Sequence, residues 1–74
     1  MKFTHTEFRG DDGSVTIRTT LEGSAWQVAW EVSAAEIADA VCGPDLLIAD
    51  VKKHNELLIT AKVRQVFDGA PPSN

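Results

Sequence analysis

The sequence has 74 residues, with eleven Asp and Glu against seven Lys and Arg and a formal net charge of −4. That length supports one hydrophobic core and not two, and the negative balance repels a polyanion at long range, which disfavours unspecific nucleic-acid binding. The single Cys42 excludes an internal disulfide, and the absence of a long apolar run argues against a signal or membrane segment, so a reducing cytoplasm is the expected setting.

From Lys2 to Arg9 the chain is rich in Thr and Phe, both good strand formers, and Gly10, Asp11, Asp12 and Gly13 supply turn chemistry. This predicts a first strand and a turn. Val15, Ile17, Thr19 and Leu21 then alternate with Thr16, Arg18 and Thr20, the period of two that places one face on a core. After the short connection Glu22, Gly23 and Ser24, the residues Trp26, Val28, Trp30 and Val32 alternate with Gln27, Ala29 and Glu31, which predicts a third strand.

Ser33, Ala34, Ala35 and Glu36 have the spacing of a capping box, so a short helix should begin there and end at Gly43. A second helix is expected from Pro44 to about His54. Pro44 suits the first position, Asp45 the positive end of the dipole, Lys52, Lys53 and His54 the negative end, and Asn55 the stop. Beyond Asn55, Ile59, Ala61, Val63 and Phe67 alternate with Leu58, Thr60, Lys62, Arg64 and Val66, which favours a fourth strand; the rival is one long helix from Pro44 to Phe67.

The resulting fold class is α+β in the order βββααβ, a four-stranded antiparallel sheet with two short helices packed on one face. Residues 1–69 are expected to form a single domain and 70–74 a solvated, flexible tail. The core should hold Trp26, Val28, Trp30, Val32, Val15, Ile17, Ile59, Ala61 and Val63 against Ile37, Val41, Leu47, Ile48 and Val51. Thr16, Arg18, Thr20, Gln27, Glu31, Thr60, Lys62 and Arg64 should cover the opposite sheet face.

No residue pattern points to catalysis, a cofactor or a metal. Cys42, His5 and His54 lack the close-spaced pairs of a zinc site, and Cys42 reads as a small buried filler between helices. Asp11 and Asp12 lack the further oxygens of a calcium loop. The serines are explained by turns and a cap.

The expected function is therefore a non-catalytic protein-binding module with no cofactor. Small acidic domains of this general type occur among phage and mobile-element proteins that inhibit or modulate larger host enzymes or defence complexes. Glu31, Glu36, Asp39, Asp45 and Asp50 follow one another without an intervening base and would form an acidic face for a larger partner with a basic surface. The alternatives are a small nucleic-acid-binding regulator, using helix 44–54 with Lys52 and Lys53 or an Arg18, Lys62 and Arg64 face, and a self-assembling component in which an edge strand pairs with a second copy.

Overall fold

Residues 1–68 are described by the computed structural model, and the expected tail 70–74 lies outside them. The elements are β1 (Phe3–Arg9), β2 (Val15–Leu21), β3 (Gln27–Val32), α1 (Ala34–Ala38) and α2 (Pro44–Asp68). The strands form one antiparallel sheet in the order β1-β2-β3. Both hairpins are closed by polar turn residues: Gly13 N donates to Gly10 O, Ser14 N donates to the Asp12 carboxylate, and Ser24 Oγ ties the β2–β3 loop to Leu21 O. The Ser14 hydroxyl and then its amide hold the Asp12 carboxyl below the usual carboxylate range.

Register follows from these turns. In β1–β2 Phe3 opposes Leu21 and Arg9 opposes Val15, and in β2–β3 Val15 opposes Val32 and Thr20 opposes Gln27. Val15, Ile17, Thr19 and Val32 are all buried, so this parity defines the inner face of the sheet. The outer face carries Thr4, Thr6, Phe8, Thr16, Arg18, Thr20, Gln27, Ala29 and Glu31.

The capping box forms as the spacing requires: Glu36 N donates to Ser33 Oγ and Ser33 N donates to Glu36 Oε1, each at 3.1 Å. α1 ends at Ala38, however, and the chain turns through residues 39–43 to Gly43, whose φ of 95° is a conformation that glycine adopts without strain. Val41 lies in that turn and is 99% exposed, so it is not a core residue.

Among the described residues the expected fourth strand is absent, and with it the βββααβ order and the four-stranded sheet. Residues 56–67 continue α2, a single helix of 25 residues from Pro44 to Asp68. Ile48, Val51, Asn55, Ile59 and Val63 are spaced by three or four and all are buried, a continuous stripe along one helix face. Glu56, Leu57, Leu58, Ala61, Lys62, Arg64 and Gln65 are good helix formers that support it. Thr60 keeps its hydroxyl within the helix by donating to Glu56 O at 2.8 Å. Asn55 does not end the helix, because its side chain is used against the sheet.

α2 packs on the inner face over β2 and β3. It runs antiparallel to β1, since Lys52 meets Glu7, Glu56 meets His5 and Thr60 meets Met1 in turn. The core is Val15, Ile17, Val32, Ile48 and Val51, flanked by Ile37 and Leu47. At 1.5 Å per residue α2 is about 37 Å long, against about 23 Å for a seven-residue strand, so the helix outruns the sheet it covers.

Candidate functional site

Asn55 anchors the helix to the central strand. Fully buried, it donates from Nδ2 to Ile17 O and to Thr19 Oγ1, each at 3.1 Å. Thr19 Oγ1 also lies 2.8 Å from His5 Nδ1, and His5 Nε2 lies 2.7 Å from Glu56 Oε2. In the tautomer that carries its proton on Nε2, His5 donates to Glu56 and accepts the Thr19 hydroxyl hydrogen at Nδ1. A carboxylate, an imidazole and a hydroxyl in line resemble the parts of a nucleophilic triad, but Thr19 is 0% exposed and its hydroxyl cannot reach a substrate. The line is a structural strap that joins β1, β2 and α2.

The charged residues singled out in the sequence do not converge. Glu31 opposes Thr16 on the outer face, whereas Asp45 and Asp50 belong to α2 on the other side of the sheet. Glu36 is engaged in the capping box and Asp39 is the C-cap of α1. Loss of the fourth strand likewise separates the basic group. Arg18 lies on the outer face, its guanidinium 5.1 Å from the centre of the Phe8 ring, while Lys62 and Arg64 are carried by α2. Lys52 is paired with Glu7 at 3.3 Å and Lys53 is exposed. Cys42 is exposed, not buried, and the described residues hold no cluster of three or more His, Cys, Asp or Glu able to bind a metal.

What the structure does bring together is an edge and a groove. Leu21 N donates to Trp26 O at 3.0 Å, in the same register as the ladder beyond it. Hydrogen-bonded pairs recur at every second residue of an antiparallel ladder. Val28, Trp30 and Val32 therefore turn their backbone groups toward β2, and Gln27, Ala29 and Glu31 turn theirs outward from the sheet. β1 is also an edge, but its inner-face residues include His5, Glu7 and Arg9, and inward-pointing charges discourage a further strand. β3 has a single charged residue, Glu31.

Beside the β3 edge lies an open groove of about 690 Å³ between this strand and the C-terminal half of α2. Trp26, Val28, Leu58, Ala61 and Val66 make it mainly apolar, with Gln27, Lys62 and Gln65 among its polar lining. Leu58 is 39% exposed and Trp30, stacked edge-on against His54 with ring centres 5.0 Å apart, is 45% exposed. Both would be covered if a fourth strand lay next to β3. The sequence reading missed this surface because it treated Trp26 and Trp30 as core; the available signal was the nearly uncharged stretch Gln27–Val32 together with the long-helix alternative.

No described helix is long and apolar enough to cross a membrane. No protein-family model matches the sequence, and neither a curated protein nor a solved structure matches it.

Proposed function

We propose that this chain is a non-catalytic protein-binding module that takes its partner along the β3 edge and the adjoining groove. One observation carries the reading: outward-facing backbone groups at Gln27, Ala29 and Glu31 lie beside an apolar groove that the fold itself leaves unfilled. A partner strand placed there gains main-chain hydrogen bonds from the edge, and its alternate side chains enter the groove. Exposed tryptophan flanked by aliphatic side chains is the composition of an interface anchor. Charge at that surface is sparse, with Glu31 on the strand and Lys62 in the groove lining, so main-chain hydrogen bonds and apolar contact carry the association.

The reading is tested by capture from lysate of cells that also express the untagged chain, with mass spectrometric identification, using the full chain and Leu58→Glu as bait. A charge at the groove wall should remove the captured species while leaving the far-UV circular dichroism spectrum unchanged. An identical set captured by both proteins would overturn it.

A further inference from the structure

We infer that the partner at the β3 edge is a second copy of this chain, joined by antiparallel β3–β3 pairing about a two-fold axis at Ala29. This rests on the reading of the edge and groove as a binding surface and names its occupant.

The register is dictated by the edge itself. Gln27, Ala29 and Glu31 carry the outward-facing backbone groups. An isologous pairing that uses all three must oppose Ala29 to Ala29 and Gln27 to Glu31 of the second copy. Three opposed pairs at two N–H···O bonds each give about six main-chain hydrogen bonds. No like charges meet, because each Glu31 faces a Gln27 amide that can donate to it. On the inner face Val28 then opposes Trp30 of the second copy as a non-hydrogen-bonded pair, where side chains approach most closely and an aromatic ring packs well on a β-branched one. That contact covers the exposed part of Trp30.

The helices fit the same operator. The two-fold axis stands perpendicular to the sheet just outside β3, so both α2 helices lie on the same side of the joined sheet and run antiparallel to each other. The Leu58 and Ala61 side of one would face that of the other across the groove. A single strand edge with one adjoining groove is at the small end of specific interfaces, where association is weak and concentration-dependent, on the order of micromolar to submillimolar.

The test is the mass of the full chain by size exclusion with light scattering from roughly 5 to 500 µM, a range that spans this affinity. The expected result is a rise from one chain toward two, abolished in Ala29→Pro, which removes an outward-facing amide and leaves the β2 ladder intact. A cysteine comparison in a Cys42→Ser background reports the register even if the proline variant fails to fold. Ala29→Cys places two thiols on residues whose Cα atoms are about 5.5 Å apart, close enough for a disulfide. Gln27→Cys places them about 14 Å apart. Covalent dimer should form readily in the first and not in the second. A monomer throughout the range, or equal cross-linking at both positions, overturns the proposal. If the chain stays monomeric while Leu58→Glu still abolishes capture of another protein, the second copy is wrong and the binding surface stands; if that capture is also unchanged, both fall.

Discussion

Substituting Asn55→Asp changes one atom type in a fully buried side chain and converts two donors, to Ile17 O and Thr19 Oγ1, into acceptors. A protonated carboxyl restores one donor, so at low pH the loss is about one hydrogen bond, roughly 1 kcal/mol. The ionised form has no cation beside it, and a fully buried carboxyl of this kind titrates about 3 pH units or more above its solution value near 3.9. Its folded pKa is thus raised well above the unfolded one, and the variant is least impaired below the unfolded value and loses stability as pH rises from there toward the folded one. At about 1.4 kcal/mol per pH unit, the deficit relative to the unaltered chain grows from about 1 kcal/mol at pH 4 to about 5 kcal/mol at pH 7. A domain this small has little more than that to lose. Urea unfolding at about pH 4, 5 and 6, followed by the fluorescence of Trp26 and Trp30, measures the slope. A deficit that does not change with pH would show that position 55 reaches water and that α2 is not seated on β2 as described. Asn55→Leu, which also removes the unpaired Asn55 Oδ1, has the same branching but a larger side chain and takes away both donors; its deficit, on the order of 1–3 kcal/mol, should not vary with pH.

Gly43→Ala should destabilise by about 1–2 kcal/mol in thermal or urea unfolding, because φ is 95° there while an added Cβ meets no atom within 4 Å, leaving backbone strain as the whole cost. Asp12→Asn should flatten the acid limb of the stability profile. The Asp12 carboxyl is depressed by Ser14, so its contribution is present above its usual value of 3.8 and is lost as pH falls below that; an unchanged acid limb would show that the turn does not persist in solution.

The three strands and the capping box were legible because each has a local cause. Alternation around Ile17 and Val28 has only one period to fit, and Ser33 with Glu36 satisfies two backbone amides at a single spacing. Residues 56–67 were not legible in the same way. Ile59, Ala61 and Val63 alternate as a strand would, yet Ile59 and Val63 also extend the helical series from Ile48, Val51 and Asn55. What decides between them is tertiary: Asn55 looks like a helix stop in isolation and becomes a helix interior residue once Ile17 and Thr19 supply its partners. The conformation of residues 56–67 also decides which surface is free to bind. A fourth strand laid next to β3 would put β3 inside the sheet and cover Trp30, and in any order would join Lys62 and Arg64 to Arg18; as a long helix, the same residues leave the β3 edge open and divide the basic side chains between two layers. Val41 was assigned to the core from its i+4 spacing to Ile37, but α1 stops at Ala38 and the spacing no longer defines a face.

Backbone amide exchange at Gln27, Ala29 and Glu31, read by NMR at roughly 10 µM and 500 µM, tests most directly whether a second copy of this chain pairs along the outer edge of β3. Exchange should be fast at the lower concentration and slowed at the higher one at these three positions, with Val28 and Trp30 protected at both. Equally fast exchange of all three at both concentrations, or protection already complete in the dilute sample, would contradict the account.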